Sequence, residues 1–338
     1  MQRWVINLVS RLVAVGLMGG GFAIQAQAQP PRPVMKAPSS SAERAEKLMK
    51  QGLEKQRRGN YKGAIADFSQ LIKLKPDDAA AYYKRADARG KIGDHKGAIA
   101  DFSQLIKLKP DDAILYYNRG VARSNSRDSN GAIADFTQAI TLKPNFADAY
   151  YNRGLAYNAL GDSNREIEDY TQTIKLKPGY TDAYVNRGAT RSALGDSNGA
   201  IADYTQAIKL RPNDAAAYYN RGVVRIKLGE DQGAIADFTQ TIKFKSDHAA
   251  AYINRGVARS NLGDHKRAIA DHTQAIKLKP RFAEAYINRG TARRKLGDNK
   301  GAIADLKKAA ALFQQQGQKA KYEEAVKFLG QISFQRSR

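Results

Sequence analysis

The pentapeptide Gly-Ala-Ile-Ala-Asp begins at residues 63, 97, 131, 199, 233 and 301, and prolines follow at Pro76, Pro110, Pro144, Pro178, Pro212 and Pro280. Both series keep a 34-residue step, and Ser246 fills the one beat without a proline. A fixed period of this length constrains the fold more than any composition does. One copy cannot bury an apolar face by itself, so successive copies must stack into a continuous core. Such an array grows by adding copies and needs no second globular core.

Within the copy at 79–112, Tyr82, Ala86 and Arg89 share one helical face, as do Ala98, Phe102, Leu105 and Ile106. Gly93-Asp94 stands between the two stretches. Glycine accepts the left-handed conformation that ends a helix, and the aspartate caps the next one. The second stretch stops at Lys109, because Pro110 disfavours helical geometry in its predecessor, and Asp111 and Asp112 stand ready to cap the following copy. The pattern predicts two helices per copy, each about 14 residues and about 21 Å long.

Tyr82-Tyr83-Lys84-Arg85-Ala86 has counterparts in Tyr116-Tyr117-Asn118-Arg119-Gly120 and Tyr150-Tyr151-Asn152-Arg153-Gly154. With Gly93, Ala98, Phe102 and Pro110 at their spacings, these residues resemble the tetratricopeptide repeat across 45–316. The resemblance implies an all-α, right-handed superhelical solenoid of eight helical hairpins, at 45–78, 79–112, 113–146, 147–180, 181–214, 215–248, 249–282 and 283–316. It also implies that first helices line a concave groove and second helices form the convex face. Residues 317–338 carry an apolar stripe of Tyr322, Ala325, Val326, Leu329 and Ile332, read as a capping helix and tail. Gly120, Gly154, Gly188, Gly222, Gly256 and Gly290 are expected where the helices of a copy cross, opposite alanines such as Ala132 and Ala234.

Residues 1–28 read as an export signal: basic Arg3 and Arg11, an apolar run from Leu12 to Ile24, then Ala26-Gln27-Ala28 as the cleavage site. The run is shorter than the roughly 20 apolar residues a spanning helix needs. Cleavage after Ala28 and a periplasmic or secreted location are the expectation. Residues 29–44, with Pro30, Pro31, Pro33 and Pro38, read as a Pro-rich linker.

Four places break the period. Glu166 replaces the alanine at the helix crossing and needs a partner, with Arg165 or a lysine as the first candidates; a polar patch or hinge is the other reading. Ser126-Arg127 replaces a Leu-Gly pair, putting arginine where a left-handed cap is expected, at a cost of roughly 1 kcal/mol. His272 replaces the aromatic residue of other second helices and reads as a core or boundary histidine. Gln51 and Leu306 mark the terminal copies as atypical.

The formal charge is +23. Arginines from Arg85 to Arg289 and aspartates from Asp67 to Asp305 keep one period, which predicts ion pairs between helices. The spare cations end the second helices: Lys73/Lys75, Lys107/Lys109, Lys143, Lys175/Lys177, Lys209/Arg211, Lys243/Lys245 and Lys277/Lys279. They complement helix dipoles and aid solubility, or else form a basic ridge for an anionic envelope polymer or membrane surface.

By the geometry the resemblance implies, the groove receives Tyr83, Tyr117, Tyr151, Val185, Tyr219, Ile253 and Ile287, pointing into it rather than between helices. Beside them runs an amide row, Asn118, Asn152, Asn186, Asn220, Asn254 and Asn288. Such rows suit a peptide or protein segment: apolar contacts hold side chains and amides engage the backbone. Tyr117 and Val121 stand where a chaperone-tail clamp needs lysine and asparagine, which sets that ligand aside. The chain has no cysteine, and its histidines, His95, His248, His265 and His272, show no ligand spacing, so neither metal nor cofactor is expected. No catalytic constellation is visible. The reading is a non-catalytic protein–protein interaction scaffold in the bacterial envelope, and the export signal disfavours nucleic acid.

Overall fold

The computed structural model describes residues 40–335. The export-signal reading and most of the linker fall outside them. In the N-terminal unit, Met1–Arg44, Ser40 and Glu43 make a reciprocal cap: Ser40 N donates to Glu43 Oε2 at 3.1 Å and Glu43 N donates to Ser40 Oγ at 3.2 Å. Two otherwise unsatisfied donors are met by this pair. The first helix therefore starts at Ser41, inside the stretch read as linker.

The second unit, Ala45–Arg338, holds the array. In chain order the helices are α1 (Ser41–Arg57), α2 (Tyr61–Leu74), α3 (Ala79–Lys91), α4 (His95–Leu108), α5 (Ala113–Asn125) and α6 (Ser129–Leu142). There follow α7 (Ala147–Leu160), α8 (Ser163–Leu176), α9 (Thr181–Ala193), α10 (Ser197–Leu210), α11 (Ala215–Lys227) and α12 (Asp231–Phe244). The last are α13 (Ala249–Asn261), α14 (His265–Leu278), α15 (Ala283–Lys295), α16 (Asn299–Gln315) and α17 (Lys319–Gln335). No strand occurs among the described residues. The fold is an all-α helical repeat solenoid.

Local chemistry sets the breaks. The Asp94 carboxylate accepts from Gly97 N at 2.9 Å and starts α4. Lys109, extended at φ −141° before Pro110, ends it. Arg127 takes φ 65°, the left-handed position that glycine fills at Gly93 and Gly161, so the expected strain is present in the third turn.

At the crossings, Gly120, Gly154, Gly188, Gly222 and Gly256 face rings rather than alanines, while Gly290 lies against the Ala302 carbonyl and Leu306 as expected. A Cβ on Gly120 would lie 2.7 Å from Phe136 Cε1, and one on Gly222 would lie 2.9 Å from Phe238 Cε1. Absent side chains thus make room for fully buried aromatics. In the second copy Ala86 has a Cβ, and Phe102 is 7% exposed where Phe136 and Phe238 are 0%. The ring has yielded to the methyl group.

The arginine and aspartate rows pair within every copy but the first, where Lys55 meets Asp67 at 2.7 Å, and so hold the first helix to the second. Seven arginines, Arg85 through Arg289, reach the aspartate sixteen residues on at 2.6–2.8 Å. Each also donates Nη1 to the Ser or Thr hydroxyl sixteen residues back, in the preceding copy, at 2.9–3.1 Å. A second row, Arg89, Arg123, Arg191, Arg225, Arg259 and Arg293, meets the same aspartates at 2.7–3.0 Å. Charge-assisted, bidentate bonds of this kind fix geometry as well as charge. The arginines are structural.

The fourth copy is rebuilt around its irregular residues. Glu166 is 2% exposed. It accepts from Asn158 Nδ2 at 3.0 Å and Thr190 Oγ1 at 2.8 Å. Arg165, the expected partner, instead pairs with Asp162 at 2.5 Å and lies over the Tyr157 ring. The reason is reach: a carboxylate at the crossing points inward, and Arg165 sits on the outer turn. Tyr157 also removes the second arginine, so Asp169 has Arg153 alone, and burial holds its carboxyl above the usual range. Burial beside Glu166 pushes the Tyr170 phenol up as well.

Candidate binding groove

First helices of neighbouring copies touch directly, α5 with α7 and α9 through α15 in succession, while second helices do not approach to this extent. The array therefore bends with its first helices on the inner side. The predicted groove residues lie on these helices.

The tyrosines are less free than their sequence positions imply. Tyr83 is 38% exposed, with its edge against Phe102. Tyr117 sits against Phe136 and Phe146, at 5.9 and 4.8 Å between ring centroids. Tyr151 is 9% exposed between Tyr170 and Tyr180. Tyr219 lies between Phe238 and His248. These rings fill the seam between copies, because an aromatic of that size gains more from burial there than from lining water. For Tyr117, Tyr151 and Tyr219 this corrects the expectation of rings pointing freely into the groove, whereas Tyr83 stays exposed. Burial, with Asp148 nearby, raises the Tyr117 phenol to about 12, and burial raises those of Tyr83, Tyr151 and Tyr219.

Each of these hydroxyls has a partner one copy further on. Asn118 donates to Tyr83 at 3.4 Å, Asn152 to Tyr117 at 3.1 Å, Asn186 to Tyr151 at 3.0 Å and Asn254 to Tyr219 at 3.2 Å. The step is always 35 residues. Two places break it. Val185 and Ile253 have no hydroxyl, and the amides that would meet one, Asn220 and Asn288, are half-buried and have no side-chain partner among the described residues. Val185 packs on Ala200, Tyr204 and Val224. Ile253 is 6% exposed against Ala275 and Ala285. Ile287 packs on Leu306 and Phe328. The pairing could have been found in the sequence, since the tyrosine and asparagine rows share one period, although the asparagine row runs on unbroken where the tyrosines lapse at Val185 and Ile253.

At the C-terminal end, α17 extends the inner face. Ile287 and Thr291 of α15, with Glu324, Lys327, Phe328 and Gln331 of α17, line a hollow of about 370 Å³. The capping helix thus also walls the groove.

His272 lies in the core, 1% exposed, with both ring nitrogens unpartnered. Burial, and then the Arg289 charge, lower its pKa to about 4. No group of three or more potential metal ligands occurs among the described residues. No described helix is long and apolar enough to cross a membrane.

A stack of helical hairpins with a lined inner face defines a repeat scaffold of the protein–protein interaction class. The chain belongs to the tetratricopeptide repeat family. Models described as "TPR repeat" match residues 128–161 and 191–229, and models described as "Tetratricopeptide repeat" match 49–113, 83–123, 147–180 and 253–317. Among solved structures it is similar to the C-terminal part of a TPR repeat-containing protein from Cytophaga hutchinsonii, at 19% identity and TM-score 0.59, covering 68% of this chain and 95% of that one. A tetratricopeptide repeat protein from Parabacteroides merdae follows at 16% identity and TM-score 0.54, covering 77% and 99%. YrrB, described as a TPR protein with an unusual peptide-binding site, gives 23% identity and TM-score 0.51 over 54% and 95%. No protein of curated function matches the chain.

Proposed function

We propose that this chain is an exported, non-catalytic scaffold that holds a peptide or protein segment on its inner face, in the register set by Asn220 and Asn288. The observation that carries this reading is the pair of unpartnered amides. An asparagine presents both a donor and an acceptor, the two groups an extended backbone leaves unpaired. Val185 and Ile253 stop short of where a tyrosine hydroxyl would stand, leaving apolar floor beside each amide. The latched asparagines, by contrast, are occupied and serve the stack.

Photo-crosslinkers at 220 and 288, with a control at the exposed Ala236 of α12, test it in an envelope extract. Adducts from the two groove positions and none from the control are expected; equal labelling at all three would sink the groove. Export is tested separately. The mature chain is expected to begin at Gln29, and an N-terminus retaining Trp4 would defeat cleavage.

A further inference from the structure

Part of the charge that the ion-pair rows do not consume lines one edge. The arginines of the two periodic rows are tied to aspartates, and Arg211 is paired with Asp182 and Asp214, yet no lysine that ends a second helix forms an ion pair among the described residues. All stand at the tips where second helices turn into the next copy. Between the cations of three consecutive tips sits a large apolar side chain held out of the core: Leu176 and Leu210 at 38% exposure and Phe244 at 40%. Further along the same edge, Leu108, Ile114 and Leu142 floor a hollow of about 680 Å³. Its rim carries Lys109 and Lys143, together with Asp111 and Asp112.

We infer that this edge is a docking surface for an anionic lipid bilayer, with the tip leucines and Phe244 entering the headgroup boundary while the lysines meet phosphates. Two features favour lipid over a soluble polyanion. A cation–apolar–cation tip matches an interface that is charged outside and apolar beneath, whereas a polyanion in water offers nothing to the leucine. Lysine stems can lie along apolar surface and keep the ammonium at the headgroup level, and at one tip Lys243 Nζ already stands beside the exposed ring, 5.7 Å from the Phe244 centroid. The inner face takes no part, so this surface and the groove can be occupied together.

Flotation of the full mature chain with vesicles of phosphatidylcholine, alone or with about a third phosphatidylglycerol, tests the inference. Binding is expected to the anionic vesicles only, falling about tenfold between low and physiological salt as exposed charges are screened. Leu176→Asn, Leu210→Asn and Phe244→Asn together should lose vesicle binding about tenfold while retention on immobilised polyphosphate stays unchanged. Replacing Lys175, Lys177, Lys243 and Lys245 with glutamine should weaken both, and circular dichroism should show either variant intact. Failure of the wild-type chain to float with anionic vesicles overturns the inference. Equal vesicle binding by the leucine variant also overturns it and leaves a polyanion ridge. Asn220→Ala with Asn288→Ala should float normally, so failure of the groove and failure of the edge are distinguishable.

Discussion

The side-chain amide of Asn152 donates to the hydroxyl of Tyr117, one copy earlier, at 3.1 Å. The bond crosses the seam between two helical hairpins and recurs wherever both residues are present. It makes each inner-face tyrosine a latch before it can be a ligand contact.

Removing the hydroxyl while keeping the ring isolates the latch. Tyr117→Phe and Tyr151→Phe should each lower stability by about 1 kcal/mol, the net value of a partly buried hydrogen bond. Urea titration followed by circular dichroism measures it, and an unchanged midpoint would show the bond to be idle.

Completing the latch should do the reverse. Val185→Tyr and Ile253→Tyr give Asn220 and Asn288 the partners they lack, at positions where other copies carry tyrosine. Thermal stability is expected to hold or rise by about 1 kcal/mol. Partner capture through the inner face should fall about tenfold, because the amides would be occupied. A doubly latched variant that captures its partner as well as wild type would defeat the assignment of these two amides.

The buried aspartates offer a comparison inside one chain. Asp203 accepts from Arg187 and Arg191, whereas Asp169 has Arg153 alone. Removing a carboxylate from such a cluster leaves guanidinium groups without a counter-charge, at a cost of about 3–5 kcal/mol when buried. Asp203→Ala should therefore destabilise more than Asp169→Ala. Equal losses in the two variants would show that the second arginine row contributes nothing.

Periodicity made the hairpins legible, because helix length, cap and break repeat with Asp94, Gly93 and Pro110 and their counterparts. The rows of Tyr83 and Asn118 were legible as rows too. What they touch was not, since a 35-residue contact belongs to the stacking of copies and no single copy contains it. Glu166 was visible as an anomaly, but its partners were hidden. Thr190 is 24 residues away and donates a neutral hydrogen bond, which charge matching does not anticipate. The glycine–ring contacts were missed for a related reason: small residues on both helices drew attention to alanine, while the volume belonged to Phe136.

His272 ties the seventh copy to pH. Its ring replaces a core aromatic, and burial with Arg289 near it lowers its pKa from 6.5 to about 4. The folded chain therefore holds a neutral imidazole. Above about pH 6.5 neither folded nor unfolded chain binds the proton, and the histidine carries no penalty from ionisation. As pH falls from 6.5 towards 4 the unfolded chain takes the proton first, so stability is lost across that window, by about 3 kcal/mol in all. Below pH 4 both states are protonated and this contribution levels off. His272→Phe restores the aromatic found at Phe238 and removes the titration. The melting temperatures of wild type and His272→Phe should therefore differ by a constant amount at neutral pH and diverge below pH 6.5. Parallel curves down to pH 4 would mean that the imidazole is solvated or finds a proton acceptor in the folded core.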